Sequence, residues 1–148
     1  MRDFGALIGR ILLALIFVLS GFQKIMNPAG TIAMMGSHGV PVPAVAFGLT
    51  VLIEFGGALL LILGYQTRWA ALLMFLWFIP VTVMFHIAGY QQAAQQHDAM
   101  AALTQQIMIL KNVSILGGLL LLASFGPGAL SLDGRGTRAS EADSLRAA

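Results

Sequence analysis

Charged residues are almost missing from residues 4–132 of this 148-residue chain. Eight of its 14 charges lie near the ends, at residues 2, 3 and 133–146, which leaves six for the whole central stretch. These six are Arg10, Lys24, Glu54, Arg68, Asp98 and Lys111. Charged residues make up 9% of the chain, against about 25% in a typical soluble domain. Because six charges cannot cover a soluble surface of that size, we expect an integral membrane protein.

Four apolar segments of about 23 residues divide this stretch. Such a segment forms a helix roughly 34 Å long, which crosses a bilayer with some tilt. The segments cover residues 4–26, 42–64, 67–89 and 102–125, with proline and glycine residues between them. The sequence therefore predicts an all-α integral membrane four-helix bundle, a single domain over residues 1–132, with a disordered polar tail over residues 133–148.

The distribution of lysine and arginine predicts the orientation of the bundle. With four spans, the N-terminus, the turn at residues 64–67 and the tail share one side of the membrane. That side carries six Lys or Arg residues, whereas the other side carries Lys24 alone. By the positive-inside rule, both the N- and C-termini are expected in the cytoplasm. The loops at residues 27–41 and 90–101 are then expected on the outer side.

The composition also excludes several kinds of chemistry. The chain has no cysteine, so disulfides, thiol relays and Cys-ligated zinc or iron–sulfur centres are excluded. Its net charge is +2 and the basic residues are scattered, so we predict no nucleic-acid binding. His38, His86 and His97, with nearby methionines, have the ligand types that suit copper. Methionine is also ordinary apolar packing, and we predict no metal site.

Four ionisable residues fall inside the predicted spans or at their edges. They are Arg10, Lys24, Glu54 and Lys111. Each costs roughly 2.5–3.5 kcal/mol near the bilayer centre, so each should face the bundle interior and find a partner. A rise of about 1.5 Å per residue places Glu54 and Lys111 close together in depth, near the midplane. We therefore expect Glu54 to pair with Lys111, with Arg10 as the competing partner.

These polar residues form a candidate site inside the bundle. The predicted ligand-binding residues are Arg10, Gln23, Lys24, Glu54, Lys111 and Asn112. The predicted catalytic residues are Glu54 and His86, which form a candidate proton relay. The surplus of positive charge favours an anionic or carbonyl-bearing ligand. In the alternative interpretation, one buried ion pair fixes the helix register and His86 makes a structural hydrogen bond.

Several motifs, in order and spacing, resemble the DoxX family of small bacterial four-helix inner-membrane proteins, which includes the YphA-like members. The likeness covers about residues 5–133. The motifs are GR at residues 9–10, FVLSGFQKI at 17–25, EFGGALLL at 54–61, TRWAA at 67–71, FH at 85–86, KNVSILGGLLL at 111–121 and SLD at 131–133.

The resemblance implies a multi-pass protein of the bacterial inner membrane. Relatives include membrane subunits of thiosulfate:quinone oxidoreductase and partners of oxidative-stress enzymes, and quinone is the one cofactor that the likeness suggests. It also implies that the family's polar positions are Arg10, Lys24, Glu54, His86 and Lys111.

Three functions stay open at the level of the sequence. The first is a membrane subunit, catalytic or not, of a quinone-linked or oxidative-stress-related redox system. The second is a non-enzymatic module that binds an amphipathic ligand, a partner protein or further copies of itself. The third is transport of a small anion, for which four helices in a monomer are few.

Overall fold

The computed structural model describes residues 2–134, in which five helices are the main elements. Helix α1 spans Arg2–Met26, α2 spans Pro28–Ser37, α3 spans Pro43–Leu63, α4 spans Thr67–Gln95 and α5 spans Ala99–Phe125. All but α2 are long and apolar enough to cross a membrane. The prediction of an all-α bundle with four spans is therefore confirmed over the described residues. Residues 135–148, most of the predicted disordered tail, lie outside them.

Successive spans run in opposite directions, so the bundle has two ends. We call one the tail end: it holds the start of α1, the turn at residues 64–66 and residues 126–134. We call the other the loop end: it holds α2 and the turn at residues 96–98. The positive-inside prediction would place the tail end in the cytoplasm.

The connections at the loop end contain more helix than the sequence pattern predicts. The predicted loop at residues 27–41 holds α2, whose start is capped by Asn27: its Oδ1 atom accepts a hydrogen bond from the Gly30 N–H at 3.1 Å. Helix α4 continues to Gln95 through a glutamine-rich stretch predicted as a loop. Asp98 caps α5 by accepting from the Ala101 N–H at 2.9 Å. The α4–α5 connection is consequently only a tight turn.

Two of the spans contain a π-helical turn. One covers Leu52–Gly56 in α3 and the other covers Thr82–Ile87 in α4. A π turn fits one more residue into a helical turn and occurs frequently at functional sites. Pro80, which has no N–H to donate, stands two residues before the second π turn. Glu54 lies in the first turn and His86 in the second, so both candidate proton-relay residues are on widened turns.

Two glycines bring α3 close to its neighbours. A Cβ atom at Gly21 of α1 would lie 2.8 Å from the Cβ of Phe55 in α3. A Cβ atom at Gly57 of α3 would lie 2.6 Å from the sulfur of Met74 in α4. In a bilayer such close backbone approach is a main source of helix association. The order of packing around the bundle therefore starts as α1, α3, α4.

Helix α5 completes the bundle by packing on α4 along its length and on α1 in the tail half. A Cβ atom at Gly118 of α5 would lie 3.2 Å from the Leu13 side chain of α1. The buried apolar core lies in this tail half and consists of Ala14, Phe17, Ala58, Leu61, Ala70, Ala71, Met74, Ile115 and Leu119.

Arg10 fastens the chain that follows α5 to α1. Its guanidinium, in a residue only 1% exposed, donates to the carbonyl oxygens of Pro127 at 2.9 Å and Leu130 at 2.8 Å. The expectation that Arg10 competes for Glu54 is therefore wrong, because residues 126–134 fold back and supply other acceptors. Arg10 belongs to the tail end and not to the candidate ligand site.

Asp133 makes a second set of contacts that hold the tail end together. Its carboxylate accepts hydrogen bonds from the N–H groups of Gln66 at 2.9 Å and Thr67 at 3.0 Å, where α4 begins. The sequence interpretation placed Asp133 at the start of the disordered tail. The structure instead includes it in the folded domain, because an aspartate can cap the free N–H groups of a helix start.

Candidate functional site

An ion pair joins α1 and α3 in the loop half of the bundle. The Lys24 ammonium lies 2.7 Å from the Glu54 carboxylate, whose side chain is 4% exposed, while that of Lys24 is 20% exposed. Ser20, one turn before Lys24, links the two: its hydroxyl accepts from the ammonium and donates to the same carboxylate oxygen at 3.3 Å. The negative charge of Glu54 is therefore held by two donors from α1.

The predicted pair between Glu54 and Lys111 is wrong. Depth along the membrane does place Lys111 near Glu54, but it does not say which helices are neighbours. Side chains on a helix point toward its N-terminus. Lys24 therefore reaches from the loop end back into the membrane, and α1 is the helix that lies against α3 at Gly21. Lys24, which stands in the last turn of α1, thus takes the position predicted for Lys111.

Two hydrogen bonds join α4 and α5 opposite this ion pair. The Nδ1 atom of His86 lies 2.9 Å from the Oε1 atom of Gln105. Deeper in the bundle, the Asn112 amide donates to the Thr82 hydroxyl at 3.1 Å. Asn112 is 1% exposed, and its Oδ1 atom has no partner among the described residues. Both bonds connect the π turn of α4 to α5.

A cavity of about 600 Å³ separates the ion pair from these hydrogen bonds. All four spans and α2 contribute to its lining, which includes five of the predicted ligand residues and His86. The polar lining residues are Ser20, Gln23, Lys24, His38, Thr50, Glu54, His86, Gln105, Lys111 and Asn112. The rest of the lining is apolar, from aliphatic, aromatic and methionine side chains. The volume lies within the range of about 300–1,000 Å³ typical of small-molecule pockets.

Lys111 lies at the edge of this cavity, and its ammonium has few hydrogen-bond partners. The residue is exposed, and its ammonium makes one hydrogen bond within residues 2–134, to the Met108 sulfur at 3.2 Å. A thioether sulfur is a weak acceptor. The positive charge predicted to be paired is thus left without an oxygen partner in the described part of the chain, inside a membrane-spanning helix.

The sequence interpretation missed Ser20 and Gln105. Ser20 had a signal, since it stands four residues before Lys24 and so shares its helix face. Gln105 precedes Asn112 by seven residues and shares a face with it in the same way. Neither residue carries a charge, and the search for costly intramembrane charges therefore passed over both.

The fold and the site together define a small multi-pass membrane protein with a polar cavity inside one half of a four-span bundle. The DoxX family model matches residues 5–87. The chain belongs to the DoxX family.

Two curated relatives extend the match beyond residue 87. The chain is 42% identical to the inner membrane protein YphA of Escherichia coli K12 over 139 residues, which is 90% of this chain and 95% of that protein. It is 36% identical to the inner membrane protein YqjF of the same organism over 133 residues, 90% of this chain and 92% of that protein. No solved structure matches the chain. With four spans and these relatives, it is a multi-pass protein of the inner membrane.

Proposed function

We propose that this protein is the membrane subunit of a quinone-linked redox system and that the cavity in its loop half holds the quinone head group. The observation that carries the proposal is the Lys24–Glu54 ion pair on the cavity lining, with His86 on the opposite side. An ion pair and a histidine on a lining that also has apolar side chains combine hydrogen-bond donors with groups that exchange protons.

The cavity lining fits the chemistry of a quinone. A quinone has two carbonyl oxygens on an apolar ring, so it needs donors at the oxygens and apolar contacts elsewhere. Lys24 and Lys111 are donors, and His86 donates or accepts a hydrogen bond depending on its tautomer. The apolar contacts include Phe17 and Phe78, whose rings pack edge to face with their centroids 5.2 Å apart. The residues present therefore suit this group when it is bound.

Proton transfer is the chemical role of this chain in the proposal. Reduction of a quinone to a quinol takes up two electrons and two protons. The electrons are assigned to a partner oxidoreductase, because this chain has no cysteine to act as a thiol donor. Glu54 and His86 would hold and transfer protons beside the ring oxygens. If the positive-inside prediction holds, these protons exchange with the outer side of the membrane.

The test is to purify the protein in mild detergent and analyse its lipid extract by mass spectrometry, then to titrate a short-tailed quinone into protein in nanodiscs. We expect quinone in the extract and saturable binding. In membranes with the native partner, Glu54→Gln should slow quinol formation about 100-fold, the scale of a lost general acid–base group. Asp3→Asn, which neutralises an exposed acid at the start of α1, is the matched control and should act as wild type. Absence of quinone and of saturable binding refutes the proposal.

A second candidate is a binding or assembly module without chemistry, which holds an amphipathic ligand, a partner protein or another copy of the chain. One observation favours it: Lys24 and Glu54 already satisfy each other, so the cavity can hold a ligand by shape alone. This candidate predicts that Glu54→Gln leaves quinol formation unchanged, whereas a stoichiometric partner or ligand still co-purifies.

A further inference from the structure

In the loop half, the polar contacts across the cavity join the spans in two pairs. There, α1 is joined to α3 by the ion pair, and α4 is joined to α5 by two hydrogen bonds. Between α1 and α5, the close approach is at Leu13 and Gly118, in the tail half. The cavity lies directly beyond this contact, and its lining includes residues of both helices.

Exposed residues of α1 and α5 line the cavity. Leu19 of α1 lines the cavity and is 54% exposed, and Lys111 of α5 lines it and is also exposed. Lys111 and Ser20 are each seven residues from the Leu13–Gly118 contact toward the loop end. Both therefore lie about 10 Å above that contact. Leu19 and Lys111 mark one opening of the cavity, between α1 and α5 at the level of the ion pair, in a gap that a bilayer would cover with lipid. Met34 and His38 are exposed lining residues at the loop end.

The charges around the cavity do not balance. Lys24 and Glu54 cancel each other at 2.7 Å. Lys111 adds one positive charge, with a thioether as its hydrogen-bond acceptor. The two histidines on the lining, His38 and His86, add positive charge or none. In surroundings of low dielectric, a surplus cation favours a ligand that brings one negative charge.

We propose that the cavity binds a membrane-dissolved amphiphile whose head group carries one negative charge on oxygen, and that this head group contacts the Lys111 ammonium. The ligand enters from the bilayer between α1 and α5, and its apolar tail remains in that gap. The inference rests on the proposed function in that it uses the same cavity. It adds the charge of the ligand, its route and the residue that selects it.

Paired probes test the charge. An alkylated hydroxynaphthoquinone is an anion at neutral pH, while its methyl ether has the same ring and tail without the charge. In nanodiscs of neutral lipid, we expect the anion to bind at least about tenfold more tightly than the ether, since close charge pairs contribute more than 1.4 kcal/mol. Lys111→Met should remove this preference with little effect on the ether, and Lys111→Arg should keep it.

The outcomes separate this inference from the quinone proposal. Equal binding of anion and ether, or a preference that survives in Lys111→Met, overturns the inference while quinone binding still supports the proposed function. A fatty carboxylate is the third probe. If it binds in a Lys111-dependent way while neither naphthoquinone binds, the inference stands and the quinone proposal fails. If none of the three binds, both fail.

The route is tested by obstructing the gap. Leu19→Trp places a large side chain at the opening, and Leu12→Trp places the same side chain two turns away on the same face of α1, where Leu12 is 65% exposed. We expect Leu19→Trp to slow association of the anionic naphthoquinone at least severalfold in stopped-flow fluorescence, and Leu12→Trp to leave the rate at that of wild type. Equal rates for both variants overturn entry between α1 and α5.

Discussion

Replacing Lys24 by methionine tests the ion pair at the centre of the candidate site. The change keeps most of the apolar stem and removes the ammonium, so the Glu54 carboxylate loses a donor at 2.7 Å and keeps Ser20. At an effective dielectric constant of about 20, two unit charges at this distance attract by about 6 kcal/mol before desolvation is subtracted. Removing one partner of a buried pair typically costs about 3–5 kcal/mol, because the other charge is left uncompensated.

We expect Lys24→Met to lower the free energy of unfolding by about 3 kcal/mol, at the low end of that range because the Lys24 side chain is partly exposed. Unfolding in mixed micelles with increasing SDS, followed by circular dichroism, measures this. The double variant Lys24→Met with Glu54→Gln should recover more than half of the lost free energy of unfolding, since the buried negative charge is then gone. Lys111→Met is the control, with an expected cost below about 1 kcal/mol because the Lys111 ammonium has no charged partner among residues 2–134 and bonds only the weak Met108 acceptor. The reasoning is refuted if Lys24→Met costs no more than this control, or if the double variant is less stable than Lys24→Met alone.

Three further predictions concern packing and the tail end. Gly21→Ala should destabilise the protein by about 1–3 kcal/mol in the same assay, because the new Cβ would meet Phe55, whereas Gly117→Ala, with nothing within 4 Å, should not. Asp133→Ala should cost about 1–2 kcal/mol through the loss of the cap on α4, and Asp133→Asn, which keeps one oxygen acceptor, should cost less; equal losses would contradict capping. Arg10→Met should raise amide hydrogen exchange and protease cleavage at residues 126–134 while ligand binding in the cavity is unchanged, and a loss of binding would contradict its assignment to the tail end.

The sequence predicted the spans and picked out charged residues that line the cavity, because both depend on properties that act along the chain. Scarcity of charge and segment length locate membrane helices without any tertiary contact. The cost of a charge in lipid picks out Lys24, Glu54 and Lys111 in the same way. The structure places all three on one cavity, together with His86.

The pairing within the site depended on information that a single sequence does not hold. Glu54 pairs with Lys24 because α1 lies against α3, and this neighbourhood is set by Gly21 meeting Phe55. The estimated depth in the membrane favoured Lys111 as the partner of Glu54, but depth gives no information on the order of the helices around the bundle. Arg10 found its partners in Pro127 and Leu130, since backbone carbonyls leave no pattern in the sequence.

The two π turns have a consequence for how each span tolerates changes in length. One residue turns an α-helix by about 100°, so the extra residue in a π turn resets which face looks inward on either side of it. On the tail side of Leu52–Gly56, Gly57 and Ala58 face the packed core, and within the turn Glu54 faces the cavity. Deleting one residue there would leave a regular helix of nearly the same length and composition, still able to span the membrane. The core-facing residues of one half and the cavity-facing residues of the other could then no longer both point into the bundle. The bundle could keep its packed core or its cavity, but not both.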